Sequence, residues 1–423
     1  MLINNIFVVL FLVGTAFSLI LNQTLNFSAF RARKKHGTRV PTELFGYTDT
    51  KTLSKTCEYR NAHYFLGIPA DVLSTVVGVA LLCGGFYAFL YNRLSSALGN
   101  EYLTVLLFTL LSSIPSMLLD LPFELYGEFS IEKRFGFSNM TVKQWILDSI
   151  KSALVSAVIS VPLLLAAVFL LRHVPSLWWL LLGAIYLAFS LGVSFLYPLV
   201  VAPLFNKFSP LPNGDLKKRL ESLLEKSGFK AEGIYVMDAS RRSSHSNAYF
   251  TGFGKSKRVV LYDTLINQLS IDEMESVLAH ELGHYKHGHI IKRMCFMIPV
   301  VFGVLFALSL VVQNPLLYTG FGFSAAVGEI GAAQKFIGSF LAVLVFTGFS
   351  PIVSLIANTM SRRDEFQADE YSAKACGRSR SLVTALIKLG KENLSDVTPP
   401  KVYTLFKYSH PPLLERIRHL QQL

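Results

Sequence analysis

Residues 270–284 read Ser-Ile-Asp-Glu-Met-Glu-Ser-Val-Leu-Ala-His-Glu-Leu-Gly-His. Ser270 and Glu273 have the spacing of a capping box, and apolar residues recur at helical spacing after them, so the stretch predicts a helix that begins about ten residues before the first histidine. Positions i and i+4 share one helix face, so His280 and His284 can bind one metal ion while Glu281 reaches a water beside it. The pattern is typical of a zinc hydrolase with Glu281 as general base; two surface histidines on an ordinary helix are the alternative.

Composition places this motif in a membrane protein. Hydrophobic residues make up 52% of the 423-residue chain and charged residues only 16%, which is not a soluble composition. The first apolar run lacks a small-residue cleavage site, which favours a retained span over a cleaved signal peptide. Seven runs are long and apolar enough to cross a bilayer: about 5–21, 72–91, 102–123, 150–171, 175–200, 294–318 and 336–358.

Lysine and arginine are distributed unevenly around these runs. If the basic stretch 31–35 is cytoplasmic, all of the 40 Lys and Arg residues except Arg93, Arg172 and Lys335 fall on the cytoplasmic side. The positive-inside rule therefore predicts that the polar segment 206–290 and the C-terminus are cytoplasmic. Topology and attraction to anionic membrane lipids explain the net charge of +12, so nucleic-acid binding is not predicted. Four cysteines without paired spacing predict neither a disulfide framework nor a metal site.

The order of apolar and polar segments predicts four consecutive parts. Residues 1–205 hold five transmembrane helices with cytoplasmic loops, and 206–293 form a zinc-peptidase segment with a β-hairpin and the motif helix. Residues 294–360 hold helices six and seven, and 361–423 complete the catalytic domain with the third zinc ligand.

Within the polar segment, residues 215–226 predict a charged helix and 233–237 a strand. Residues 247–262 predict a β-hairpin, because alternating apolar residues flank a turn of Gly, Ser and Lys. A strand edge beside a metal-site helix can bind an extended peptide by strand addition. A hairpin that only packs the small domain is the alternative.

A catalytic zinc usually takes a third protein ligand. His287 and His289 lack the spacing of the extended three-histidine motif, so we interpret them as polar neighbours. Glu365 follows the seventh apolar run and is the better candidate. Asp369, one helical turn later, could accept a hydrogen bond from the outer nitrogen of a ligating histidine.

The neighbouring acidic residues are not expected to reach the metal. Asp364 and Glu370 face other directions on the predicted helix, and we expect them to be solvated or paired with Arg362 or Arg363. From these residues alone, the whole stretch could also be an ordinary charged helix end at the membrane interface.

The chain as a whole resembles the CAAX prenyl proteases of the Ste24 type, integral-membrane zinc metallopeptidases of family M48. The blocks that carry the resemblance run in family order from residue 122 to 418. They are Pro122–Tyr126, Ile131–Phe137, Ala202–Phe208, Pro210–Pro212, Ser246–Phe250 with Gly252, His280–His284, Arg363 with Glu365–Asp369, and Ser409–Pro412 with Arg416.

The resemblance implies a role for each matching residue. His280, His284 and Glu365 would hold one zinc ion per chain, and Glu281 would activate water. Asn247 would anchor substrate beside the hairpin edge. His410 and Arg416 would approach the scissile carbonyl, where a positive donor stabilises the developing negative charge. Without the resemblance, His410 ahead of two prolines would be an ordinary loop residue.

The resemblance also implies the architecture. We expect an α-helical polytopic membrane protein with seven transmembrane helices around a large intramembrane chamber. A small α+β zinc-metallopeptidase domain would close the chamber on the cytoplasmic side.

The leading functional hypothesis is an endopeptidase that cleaves near the C-terminus of prenylated substrates. The alternative is a broader membrane-protein quality-control protease that needs no prenyl group. A transporter or channel with a vestigial metal site is disfavoured, because every catalytic position is intact. The expected partners are a lipidated peptide or protein and membrane lipids. We expect a monomer in a bacterial inner membrane or the endoplasmic reticulum.

Overall fold

The computed structural model describes residues 4–251, 257–324 and 330–423, which are predominantly helical. The N-terminal half contributes α1 Ile6–His36, α2 Thr50–Cys83, α3 Phe86–Leu98, α4 Glu101–Tyr126, α5 Lys133–Phe135, α6 Val142–His173, α7 Trp178–Leu196 and α8 Ala202–Phe205. Two π-helical segments, Gly127–Glu132 and Tyr197–Val201, continue α4 into α5 and α7 into α8.

The peptidase half begins with β1 Phe208–Pro210, α9 Asp215–Lys226, β2 Gly233–Met237, β3 Ala248–Thr251, β4 Arg258–Tyr262, α10 Asp263–Gln268 and α11 Ile271–Lys286. It continues with α12 His289–Val311, α13 Pro315–Thr319, α14 Ala332–Thr347, α15 Ser350–Cys376, α16 Arg380–Glu392, α17 Lys401–Lys407 and α18 Leu413–Gln421. Short 3₁₀ helices lie at Thr42–Leu44 and Ala239–Arg241.

Six helical segments of the described chain are long and apolar enough to cross a bilayer. They are Ile6–His36, Thr50–Cys83, Glu101–Phe135, Val142–His173, Trp178–Phe205 and His289–Val311. Counted as one span, the bent pair α14 and α15, with an angle of 70° between the two helices, makes a seventh. The predicted run 336–358 thus includes a helix break between Thr347 and Ser350.

Glycine and proline explain the bend. A Cβ at Gly348, between the two helices, would collide with the backbone of Gly14 in α1, so only glycine permits this crossing. Pro351 lies in the first turn of α15, where its missing N–H costs no helical hydrogen bond.

Two other predicted runs have different boundaries in the structure. The run 72–91 crosses a helix break, because α2 ends at Cys83 and Gly85 adopts a left-handed φ of 78° before α3 begins. The run 294–318 ends early, at Val311, because Asn314 caps a new helix that starts with Pro315. The hydropathy of the sequence did not reveal either helix break, because the residues on both sides of each break are equally apolar.

The spans form a closed ring. In order, α1 packs on α2, α2 on α4, α4 on α6, α6 on α7, α7 on α12, α12 on α14 and α14 on α1. The most apolar window of each of the six spans is only 6–22% buried, so protein covers little of the surface of these helices.

Two carboxylates within the spans form hydrogen bonds to neighbouring helices. Asp71 accepts a hydrogen bond from Gln23 at 2.9 Å, and Asp120 accepts one from Ser74 at 3.3 Å. Ionisable residues within spans face a hydrated interior rather than lipid. These contacts agree with the predicted intramembrane chamber.

A four-stranded sheet with the order β1-β2-β4-β3 lies beside the ring. β2 and β4 are parallel, while β1 and β3 pair antiparallel at the two edges. One face packs on α9 and α11 around Leu220, Leu261 and Leu278. The predicted helix 215–226, strand 233–237 and strand pairing of the hairpin are confirmed; the hairpin turn at 252–256 lies outside the described residues.

Candidate active site

The two helices that carry the predicted metal ligands touch backbone to backbone. The capping box of Ser270 and Glu273 starts α11 as predicted. A Cβ at Gly283 would lie 2.8 Å from the Cα atom of Ala368 in α15. The glycine inside the motif thus permits the close approach that turns His280 and His284 toward Glu365.

The three predicted ligands converge with a spacing that suits a metal ion. Nε2 of His280 lies 3.4 Å from one Glu365 oxygen and Nε2 of His284 lies 3.4 Å from the other. A tetrahedral ion with ligand atoms at about 2.0–2.1 Å holds those atoms about 3.4 Å apart. Among the described residues, these three form the group in which ligand atoms lie within 4.8 Å of one another.

The surroundings of Glu365 suit a metal ligand. Its side chain is buried, and Oε2 has no hydrogen-bond partner among the described residues. An unpaired buried carboxylate oxygen is costly. A divalent ion between the three side chains would satisfy it, so the residues present fit the metal that the motif predicts.

Asp369 orients the first histidine. Its Oδ1 lies 2.8 Å from Nδ1 of His280, which leaves Nε2 directed at Glu365. Burial alone would lower the pKa of His280, but the hydrogen bond to Asp369 and the nearby Glu365 carboxylate outweigh burial and raise it to about 9. Metal binding at Nε2 must therefore displace a proton that the two carboxylates favour.

The second histidine is oriented by a relay that the sequence did not predict. Nε2 of His289 contacts Oε1 of Gln367 at 2.9 Å, and Nδ1 of His289 contacts Nδ1 of His284 at 2.9 Å. If Nε2 of His289 donates to the amide oxygen, its Nδ1 accepts from His284, and Nε2 of His284 stays free for metal. Gly288, with a left-handed φ of 65°, makes the turn that brings His289 back.

The metal-ligand group of the described residues includes neither His287 nor His289. Their interpretation as polar neighbours fits this arrangement, but His289 also contacts the predicted metal ligand His284. It is 2% exposed and holds a ligand in one tautomer.

Asp364 and Glu370 lie outside the metal-ligand group, as expected, but their partners are not Arg362 or Arg363. Asp364 pairs with Arg293 at 2.9 Å, and Glu370 lies 3.3 Å from His419. Arg362 is buried and donates to the carbonyls of Thr404, Leu405 and Tyr408 at the end of α17. Arg362 thus fixes the chain just before His410, because carbonyls at a helix end need donors from elsewhere.

Arg416 lies under the metal site. Its Nε and Nη2 donate to the two oxygens of Asp369 at 2.9 and 2.6 Å, and its Nη1 lies 3.8 Å from Oε2 of Glu365. Only Nη1 remains for the predicted contact with a substrate carbonyl. His410 is exposed, and its Nε2 lies 3.3 Å from Oε1 of Glu365.

One cavity of about 210 Å³ joins the predicted site residues. Asn247, His280, Glu281, His284, Glu365, His410 and Arg416 all line it. Burial raises the pKa of Glu281, although the neighbouring histidines oppose the shift. A carboxylate with a raised pKa is better suited to hold a proton between water and a leaving group. Val277, Leu382, Leu386 and Leu389 form an apolar wall of the same cavity.

A second polar cluster lies beside the segment that leads into β3. Glu132, in the π-helical segment after α4, accepts from Tyr59 at 2.7 Å and contacts Nε2 of His63 at 2.9 Å. Its other oxygen lies 3.7 Å from His245, two residues before Asn247. This cluster joins two spans to the strand that borders the cavity, and no sequence spacing links its members.

Comparisons with known proteins agree with this geometry. Residues 210–423 match the model of peptidase family M48, and residues 29–207 match the CAAX prenyl protease N-terminal model, which contains five membrane helices. The chain belongs to the CAAX prenyl proteases of family M48. It is therefore a multi-pass membrane metallopeptidase, and the resemblance seen in the sequence is confirmed.

Several CAAX prenyl proteases are similar over nearly the whole chain. The CAAX prenyl protease 1 homolog of Arabidopsis thaliana is 34% identical over 90% of this chain and 89% of its own. CAAX prenyl protease 1 of Saccharomyces cerevisiae is 33% identical, covering 92% and 90%. The crystal structure of S. mikatae Ste24p matches with a TM-score of 0.89 and 32% identity over 97% of this chain and 99% of that one.

The metal site gives a direct prediction for this CAAX protease. Glu365→Ala should lose most of the bound metal, because it removes one of three ligands. Glu281→Gln should keep about one ion per chain but lose nearly all hydrolysis. Elemental analysis and peptide hydrolysis of both purified variants test this. Unchanged metal content in Glu365→Ala would remove it from the ligand set, and more than a tenth of wild-type turnover in Glu281→Gln would contradict the role of general base.

Proposed function

We propose that this protein is a zinc endopeptidase that cleaves peptide bonds near the C-terminus of prenylated, CAAX-type substrates. The observation that carries the proposal is the cavity in which the three-ligand group, Glu281 and the substrate-side residues meet at one end of a membrane chamber. CAAX prenyl protease 1 relatives that align over most of the chain support the substrate class.

Zinc is the ion best suited to this ligand set. Two imidazole nitrogens and one carboxylate oxygen, with a fourth position left for water, form a common catalytic zinc site. When bound, zinc would acidify a water molecule and polarise the scissile carbonyl. One ion per chain would occupy His280, His284 and Glu365.

The protein's own residues would handle protons and charge. Glu281 would take the proton of the attacking water and pass it to the leaving amine, a step that its raised pKa favours. His410 and Nη1 of Arg416 would face the oxygen of the scissile carbonyl as it becomes negative. Asp369 would keep His280 and Arg416 in position, since it bonds to both.

Strand β3 would bind the peptide backbone. It is an edge strand, so the side away from β4 is open to a further strand within the described sheet. The amide oxygen of Asn247 is bonded to the backbone N–H of Ala248, which directs its NH₂ group away toward substrate. The apolar wall of the cavity suits an aliphatic side chain beside the cleaved bond, and the chamber could accept the lipid.

Orientation in the membrane follows from charge. Arg172 lies 3.8 Å from Glu101 at the start of α4, where α6 ends and α4 begins. This end of the ring is opposite the metal site and carries few cations. We propose that the peptidase domain and C-terminus face the cytoplasm, with the protein monomeric in an endoplasmic reticulum or bacterial inner membrane, in contact with membrane lipids.

A lipid test separates this proposal from a broader quality-control protease. A farnesylated CAAX peptide should be cleaved near its C-terminus, while its unlipidated twin should react at least about tenfold more slowly, because the chamber contributes binding energy only to the lipid. Mass spectrometry of products measures both reactions, with Glu281→Gln as the inactive control. Equal rates for the two peptides would favour the quality-control function.

Strand addition predicts an alternating effect along the substrate backbone. N-methylation of an amide that donates to β3 should raise KM, because it removes a ladder hydrogen bond. The next amide along points away from the edge, so its N-methylation is the matched control and should leave KM nearly unchanged. Steady-state kinetics measure KM for the two peptides. If neither N-methylation changes KM, strand addition is contradicted.

Cysteine accessibility tests the orientation. In a cysteine-free variant, Lys226→Cys on α9 should react with a membrane-impermeant reagent only from the cytoplasmic side. Lys335→Cys at the start of α14 should react only from the opposite side. Labelling in the reverse sense would invert the proposed topology.

A further inference from the structure

A second cavity, of about 350 Å³, lies outside the active site where the ring meets the peptidase sheet. The first turns of α6, the short helix α8 and the 3₁₀ helix Ala239–Arg241 surround it. Five cationic side chains and one carboxylate line it. They are Lys143, Lys151, Lys207, Arg241, Arg242 and Asp148.

The single carboxylate, that of Asp148, is already paired with Arg242. Arg242 donates to both oxygens of Asp148 at 2.8 and 3.2 Å, and its remaining nitrogen donates to Asn206 at 3.2 Å. Lys151 donates to the carbonyl of Leu204 at 3.1 Å. Lys143, Lys207 and Arg241 are exposed and have no ion-pair partner among the described residues. Three cations in this pocket therefore have no anionic partner among the described residues.

The backbone adds positive potential at the same place. α6 begins at Val142, and the hydroxyl of Thr141 accepts from the N–H of Gln144 at 3.2 Å, so the N–H groups before it remain available. The amide nitrogen of Gln144 is buried without an acceptor in the described chain. The lining thus has donors in excess, which is the chemistry of a phosphate site.

The position of the pocket identifies the source of the phosphate. Leu147 and Leu204 also line it, and each is 48% exposed. They belong to the two apolar segments Val142–His173 and Trp178–Phe205, which run from the pocket into the membrane. A soluble phosphate would leave these leucines unused, whereas acyl chains would cover them.

We propose that this pocket binds the phosphate headgroup of an anionic phospholipid. The bound lipid would link α6 and α8 to the segment that leads to the substrate edge. Asn139 donates its backbone N–H to Arg242, and residue 247 lies five positions further on. The site is independent of the peptidase chemistry, so its test does not depend on the proposed substrate.

The test compares two triple variants of the full chain with equal charge change. Lys143→Glu, Lys207→Glu and Arg241→Glu together alter the pocket. Lys218→Glu, Lys226→Glu and Lys230→Glu, on and after α9, are equally exposed and lie outside it. Native mass spectrometry with phosphatidylglycerol or phosphatidylcholine measures the bound lipid, and peptide hydrolysis verifies folding.

The wild type and the α9 variant should bind phosphatidylglycerol at least about tenfold more tightly than phosphatidylcholine, and the pocket variant should lose this preference. A photoactivatable phosphatidylglycerol should crosslink within 141–151 of the wild type, which keeps the test independent of variant folding. Equal binding by both variants, or crosslinks elsewhere only, would overturn the site. Full competition by equimolar glycerol 3-phosphate would overturn the lipid assignment in favour of a soluble phosphate.

Discussion

The contact between Gly283 and Ala368 sets the distance on which the rest of the structure depends. Any side chain at residue 283 would separate α11 from α15 by the size of a methyl group, since a Cβ there would be 2.8 Å from the Ala368 backbone. The two histidines and Glu365 would then no longer share one ion, and Asp369 would lose contact with His280. The apolar core that packs against α11 holds this helix at its position beside α15. The hydrogen bonds to the outer atoms of the ligands fix the orientation of their side chains.

Residues from distant parts of the chain stabilise the same approach from the side. Arg33 of α1 forms a buried ion pair with Asp396 at 3.1 Å and also contacts Asn61 of α2. This pair anchors the segment before α17 to the ring, and Arg362 then fixes the end of α17. His410 is thus positioned by the membrane helices as well as by the peptidase fold. A buried pair of this kind is costly to break on one side only, because the remaining charge has no partner.

Local periodicity explains which parts could be predicted from the sequence. His280, Glu281 and His284 lie on one helix, and Glu365 and Asp369 lie on another, so i+4 spacing was enough to assign their faces. The alternation of the hairpin gave the edge strand in the same way. Contacts between elements carried no such signal. The bend at Gly348 depends on the backbone of Gly14, and the His289 relay depends on Gln367, 78 residues away. Arg362 was assigned an acidic neighbour because sequence shows adjacency but not the carbonyls that the fold brings to it.

The bent crossing has a consequence for how the enzyme depends on its bilayer. α12 begins five residues after His284, and α15 carries Glu365 directly from the kink that follows α14. Glu365 thus lies on the same helix that leaves the membrane, whereas the two histidines lie on α11, which the left-handed turn at Gly288 separates from α12. The tilt of membrane helices responds to hydrocarbon thickness. A thinner or thicker membrane would rotate the carboxylate relative to the two imidazoles. The ligand geometry is thereby coupled to the bilayer through α15, a coupling that a soluble excised peptidase domain would lack.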